Sequence, residues 1–241
     1  MKTTAVTANS YQLTRFGFVN CYLVRESDGF TLIDTGMLSS SADLILQAAS
    51  VLGGGTIRRI LLTHAHMDHV GSVDALLAKL GKETELISNA RNIPLLRKPP
   101  DLSLWPGEAP GNIRGGPPGI DARPTRLLIE DERCGSLRCI ETPGHIPGHL
   151  SFLDERDGTL FAGDALIAAR GFIVSSYAPW YFPLPKFVTW NAAVTMASAE
   201  KLLGYPIERF ACGHGPVKSG GIPALREAIA KVKAWEQRRT R

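Results

Sequence analysis

Hydrophobic positions in the first part of the chain follow strand-like spacing and then change to a helical one. Residues 11–16, 19–25 and 30–34 are rich in aromatic and β-branched side chains, and Gly17 and Asp28-Gly29 punctuate them as turns, which predicts an antiparallel meander. After Ser39, Ser40 and Ser41, the apolar residues Leu44, Ile45, Ala48, Ala49 and Leu52 recur at helical spacing until Gly53. That pattern predicts an amphipathic helix with a glycine stop. Residues 57–63 read as a short buried strand. Val70, Val73, Leu76, Leu77 and Leu80 then mark the inner face of a helix over 70–80. A strand at 85–88 and a short helix at 91–97 follow.

Residues 98–121 break the pattern with six prolines and five glycines. A loop of that length within a compact domain predicts a lid or rim of a pocket. Strands resume at 125–129, 137–141, 150–154 and 159–162, and helices at 189–203 and 222–237 flank a strand at 209–212. Strands and helices are mixed in both halves without an internal repeat. The expectation is an α/β sandwich formed as a single domain over residues 1–241, with 98–121 as an insertion.

Composition narrows the class. The chain has 241 residues, 44% hydrophobic and 21% charged, which suits a globular enzyme whose core needs no metal staple. A net charge of +4 is too small and dispersed to favour nucleic acid as a partner, and the basic run at Arg238, Arg239 and Arg241 complements the end of a helix dipole. No run of apolar residues is long enough for a membrane span, and residues 1–10 lack the apolar centre of a signal peptide, so a cytoplasmic location is expected. Cys21, Cys134, Cys139 and Cys212 have no zinc-ribbon or C-x-x-C spacing and are expected to be reduced, mostly buried thiols.

The segment Thr63-His64-Ala65-His66-Met67-Asp68-His69 places three of the six histidines and a carboxylate within six positions. An extended His64-x-His66 presents two imidazoles on one side, where both reach one metal ion, and Asp68 and His69, past the turn, face a neighbouring ion. Further ligand types stand at strand ends: His145 in Thr142-Pro143-Gly144-His145-Ile146-Pro147-Gly148-His149, Asp164 after Gly163, and His214 between Gly213 and Gly215. Thr63 and Thr142 precede them, where hydroxyls cap turns or orient neighbours.

With Leu32-Ile33-Asp34-Thr35-Gly36 included, these motifs occur in the order found in the metallo-beta-lactamase superfamily, which the chain resembles over about residues 11–217. The resemblance is to its dinuclear hydrolases related to glyoxalase II and the bacterial lactonases. It implies a four-layer αββα sandwich with the site at one edge. It also implies two divalent ions, zinc first with manganese or iron compatible, one held by His64, His66 and His145 and the other by Asp68, His69 and His214. Asp164 would bridge them, Asp34 would orient ligands from behind, and His149 would support the turn.

The implied chemistry is attack by a metal-bridging hydroxide, with Asp164 setting the spacing of the ions and Asp68 orienting the nucleophile. Small-molecule esters or lactones are the expected substrates. Only 27 residues follow His214, where glyoxalase II carries a helical domain, and true β-lactamases are exported and lack the bridging aspartate. Acyl-homoserine lactonases have a tyrosine three residues after that aspartate, where this chain has Ile167. Alternatives are a thioester or β-lactam hydrolase, a mononuclear iron enzyme like the persulfide dioxygenases, and a non-catalytic metal-binding protein. Between 172 and 190 the aromatics Phe172, Tyr177, Trp180, Tyr181, Phe182, Phe187 and Trp190 predict an apolar pocket wall. Tyr177, Trp180 and Tyr181 are the nominated pocket residues, with Tyr177 or Tyr181 supplying the hydroxyl that Ile167 lacks.

Overall fold

The structure is a computed structural model that describes residues 1–53, 55–177 and 184–239. Its first sheet runs in sequence order through β1 (Lys2–Ala5), β2 (Ser10–Arg15), β3 (Val19–Glu26), β4 (Gly29–Ile33), β5 (Ile57–Leu61), β6 (Glu85–Ser88) and β7 (Arg126–Leu127). The first four strands are antiparallel, as the turn residues predict, and the rest are parallel. The second sheet contains β8 (Arg133–Cys134), β9 (Leu137–Glu141), β10 (Leu150–Asp154) and β11 (Thr159–Gly163). The short pair β12 (Leu166–Ile167) and β13 (Ile173–Val174) stands apart, and β14 (Arg209–Cys212) and β15 (Lys218–Ser219) complete the second sheet beside β11.

Alternation along the strands separates three cores. Tyr22, Val24, Ile33 and Leu61 of the first sheet meet Leu150, Phe152, Phe161 and Ala211 of the second in an inter-sheet layer. The opposite faces of the same strands, Leu23, Phe30, Leu32 and Ile60 on one side and Leu153, Leu160 and Phe210 on the other, pack against helices. Central strands buried on both faces explain why their sequences read as nearly continuous apolar runs.

The outer layers are helical. On the first sheet, α1 (Ser41–Val51) buries Ala42, Ile45 and Ala49, and after the single turn α2 (Met67–Val70), α3 (Val73–Leu80) buries Val73 and Leu76. The short α4 (Asn92–Leu95) and α5 (Leu184–Val188) lead to α6 (Ala192–Lys201) and α7 (Gly221–Arg239), which cover the second sheet. The result is the αββα sandwich implied by the sequence motifs.

Several boundaries differ from the pattern. The strand expected to reach 63 ends at Leu61, which frees Thr63 and His64 for the site. The helix expected over 70–80 is interrupted at Gly71 and Ser72. The helix expected from 189 starts at Ala192, because the Asn191 side chain accepts a hydrogen bond from the Val194 amide at 3.1 Å and fixes the N-cap there. β1 has only exposed residues and carries no apolar signal.

Candidate metal centre

Strand ends deliver the functional side chains to one edge of the sandwich. Asp34 follows β4, His64 follows β5, His145 lies in the turn after β9, Asp164 follows β11 and His214 follows β14. Asp68 and His69 come from α2, so two sheets and one helical turn converge.

Two clusters form there. In the first, His64 Nε2 is 3.0 Å and His145 Nε2 is 3.1 Å from His66 Nδ1. In the second, His214 Nε2 is 3.1 Å from Asp68 Oδ2, and His69 Nε2 is 3.8 Å from that same oxygen. Asp164 stands between them: Oδ2 is 3.5 Å from His145 Nε2 and 3.2 Å from His214 Nε2, while Oδ1 is 3.5 Å from His69 Nε2. The donor atoms within each cluster lie within 4.8 Å of one another.

The far nitrogen of each of the five clustered imidazoles has a partner that accepts its proton, and this aims the near nitrogen at its cluster. His64 Nδ1 donates to Thr63 Oγ1 at 3.0 Å, and His69 Nδ1 to Asp34 Oδ2 at 2.7 Å. The remaining acceptors are Thr189 Oγ1 for His145 Nδ1 at 3.1 Å, the Phe18 carbonyl for His214 Nδ1 at 3.1 Å and the Arg114 carbonyl for His66 Nε2 at 2.8 Å. His66 therefore presents Nδ1, and the other four present Nε2.

The residues behind the clusters divide as their geometry dictates. Asp34, in a left-handed conformation with φ 59, also accepts the Thr63 amide and hydroxyl, each at 2.8 Å. His149 Nε2 accepts the Asp164 amide at 2.9 Å, and its Nδ1 meets Thr142 Oγ1 at 2.9 Å. His149 thus props the backbone of Asp164 from below. Thr189 and the carbonyls of Phe18 and Arg114 carry no sequence signal, since a backbone carbonyl is available at every residue. The 98–121 segment reaches the site through Arg114, and Gly115 is required beside it: a Cβ there would run into the His66 ring.

Electrostatics differ between the clusters. Burial, reinforced by neighbouring imidazoles, pushes His64 and His145 well below the usual histidine range, and burial also lowers His66. Burial takes His149 down to about 3. In the second cluster burial opposes charge, but Asp34, Asp164 and Asp68 carry His69 well above its usual value, and against the same opposition Asp164 and Asp68 raise His214 to about 10. Burial likewise disfavours ionised Asp68 and Asp164, yet His69 and His214 hold both carboxyls below the usual range.

Buried, unpaired atoms test whether a cation fits. His69 Nε2 and Asp164 Oδ1 face each other without a hydrogen bond. Burying such a pair unsatisfied is unfavourable, and a divalent cation between them would accept both lone pairs. Three near nitrogens pressed together in the first cluster make the same demand. Nitrogen and carboxylate donors of this kind suit zinc, iron or manganese.

A cavity of about 540 Å³ opens over both clusters. His66, Asp68, His145, Asp164 and His214 form its floor, Phe18, Met37, Ile167, Ala169, Pro185 and Val188 its apolar wall, and Arg170 stands at its rim.

A family profile described as the metallo-beta-lactamase superfamily matches residues 14–214. The chain belongs to this superfamily. It is similar to YobT, an uncharacterized protein of Bacillus subtilis (strain 168), with 43% identity over 227 residues, 92% of this chain and 95% of that protein. YflN, a probable metallo-hydrolase of the same organism, is 28% identical over 219 residues, 83% of this chain and 82% of its own length. Among solved structures, TTHA1623 in a di-iron-bound form is 29% identical, with a TM-score of 0.60 over 88% of this chain and 95% of that one. The metallo-beta-lactamase superfamily is one of metal-dependent hydrolases, and the chain carries two groups of residues that could hold a metal ion.

The aromatic segment requires a correction. Tyr177 does not line the cavity; it packs edge-on against Trp235 of α7, with ring centroids 5.6 Å apart, because the helix-side core offers that ring more apolar surface. Phe172 packs at a tilt against Phe210 in the same core, and Trp190 is buried against the first sheet's helix layer. Phe187 is exposed. Trp180, Tyr181 and Phe182 lie outside the described residues. Ile167, noted above for the missing tyrosine, lines the cavity itself. Among the described helices none is long and apolar enough to cross a membrane.

Proposed function

We propose that the protein is a dinuclear metal-dependent hydrolase of small-molecule esters or lactones. The observation that carries this reading is the placement of Asp164, whose Oδ2 lies between His145 of one cluster and His214 of the other while Oδ1 faces His69. His64, His66 and His145 would hold one ion, Asp68, His69 and His214 the other, and Asp164 both. Two such ions supply a water deprotonated near neutral pH and polarise the bond under attack.

The chain's own groups do the rest. Asp68, 3.1 Å from His214 Nε2 and lining the cavity floor, is placed to orient the attacking water by accepting a hydrogen bond from it. Thr63, Asp34, Thr189, Phe18 and Arg114 hold the imidazoles in the tautomer that leaves their near nitrogens free. The apolar wall favours a substrate with a hydrophobic acyl or ring portion and excludes bulk water from it. Ester and lactone cleavage leaves a carboxylate, and Arg170 at the rim supplies a cation for it. Zinc is the first choice of metal, and the di-iron form of the structural relative supports iron as an alternative.

The test is a chain-length series of aliphatic esters and lactones, run beside thioesters, β-lactams and phosphodiesters on metal-replete protein. Rising kcat/KM along the apolar series supports the reading. Faster turnover of a phosphodiester than of any ester would overturn it.

A further inference from the structure

The turn that carries His214 is braced by a side-chain clamp from the β2–β3 hairpin. Asn20, fully buried on β3, uses both amide protons on this turn: Nδ2 donates to the Cys212 carbonyl at 3.0 Å and to the Gly215 carbonyl at 2.7 Å. Its backbone amide donates to the Gly213 carbonyl at 2.9 Å. Thr14 Oγ1 donates to Asn20 Oδ1 at 2.9 Å and thereby fixes which way the amide faces. Gln12 Nε2 adds a bond to the Gly215 carbonyl at 2.8 Å, and Tyr22 Oη one to the Cys212 carbonyl at 2.6 Å.

On its other side the turn is pressed against the metal-centre residues. A Cβ on Gly213 would overlap Asp164 Oδ1 and come within 2.6 Å of His69 Cε1. The same hairpin supplies the Phe18 carbonyl that accepts the His214 Nδ1 proton. The backbone of 212–215 is therefore held between Asn20 and the carboxylate that faces both clusters, and a loosened turn would carry His214 Nε2 away from Asp68 and Asp164.

We propose that Asn20 is the positioning residue of the Asp68/His69/His214 cluster, selective for that cluster over the three-histidine one. The proposal rests on the reading of both clusters as metal sites. Asn20 lies outside the cavity lining and acts through the carbonyls on either side of His214.

The experiment compares Asn20→Ala with Leu23→Ala, a substitution on the same strand that faces the helix-side core and serves as a matched general destabilisation. In metal-free protein, hydrogen exchange at the Gly213, His214 and Gly215 amides is expected to accelerate at least ~10-fold in Asn20→Ala relative to Leu23→Ala, since local opening replaces global opening there. In zinc-loaded protein, chelator competition is expected to show a ~10- to 100-fold loss of affinity, confined to the ion whose release phase His214→Ala also abolishes. Gln12→Ala, which removes one donor from the Gly215 carbonyl, is expected to give the same pattern at smaller size and decides the matter if Asn20→Ala does not fold. Unchanged amide exchange, or equal weakening of both ions as in Leu23→Ala, overturns the proposal. If wild type binds no second ion, the dinuclear reading fails while the exchange comparison still decides the clamp.

Discussion

Replacing Asp34 separates stability from metal affinity, because its three hydrogen bonds are not equally replaceable. In Asp34→Ala, Thr63 Oγ1 retains His64 Nδ1 at 3.0 Å, and His69 can shift its proton to the other nitrogen. The buried Thr63 amide has no such escape, since Asp34 Oδ1 is its acceptor at 2.8 Å. One orphaned buried donor costs ~1–3 kcal/mol. Moving the left-handed position from Asp to Ala adds ~1 kcal/mol, giving a loss of about 2–4 kcal/mol. Asp34→Asn behaves differently. Its amide oxygen keeps the Thr63 amide and its side chain tolerates φ 59, so the loss of stability should be smaller than in Asp34→Ala. The new NH2 group, however, faces His69 Nδ1 and forces that nitrogen to accept. The His69 proton then moves to Nε2, the atom aimed at Asp164, and affinity for the second ion should fall ~10- to 100-fold. Urea denaturation of metal-free protein and chelator competition on loaded protein measure the two effects. An Asp34→Asn protein as unstable as the Asp34→Ala one, or one that keeps both ions at wild-type affinity, would refute this reasoning.

Gly213→Ala should fold but lose at least ~100-fold in kcat, because its Cβ displaces Asp164 Oδ1 and His69; steady-state kinetics with circular dichroism as a folding check measures it, and near-normal turnover would show that the turn has slack. The four thiols should resist alkylation of native protein at pH 8, since burial raises all of them, Cys139 to about 12, and the uncharged thiol is the inert form. Mass spectrometry should find all four modified only after denaturation. Arg170→Ala should weaken inhibition by the carboxylate product more than it changes KM for the uncharged ester or lactone. Product-inhibition kinetics on the ester series checks this, and an unchanged inhibition constant removes Arg170 from carboxylate binding.

Much of the site is written in residue types. The three histidines and one aspartate of the 64–69 segment, together with His145, Asp164 and His214, are ligand types concentrated at strand ends, and the structure brings them into two adjacent clusters. Their supports are only half legible. Asp34 stands in a motif, whereas Phe18 and Arg114 contribute carbonyls that any residue would offer, and Thr189 is one ordinary threonine after a short helix. The pocket wall is the least readable element. An aromatic-rich segment satisfies a core as well as a cavity, and Tyr177 goes to Trp235 while Phe18 and Met37, distant in sequence, form part of the wall. At the level of the fold, alternation locates the central strands, but edge strands two residues long such as β8 and β15 are set by their neighbours.

Metal content of the metal-replete chain, measured by elemental analysis against protein concentration, tests the central claim most directly. Two ions per chain are predicted, falling to one in Asp68→Ala and His69→Ala, with Asp164→Ala losing at least ~100-fold in hydrolysis while remaining folded. One ion per chain, unchanged by Asp68→Ala and His69→Ala and accompanied by intact activity, would contradict the account and favour a mononuclear centre at His64, His66 and His145.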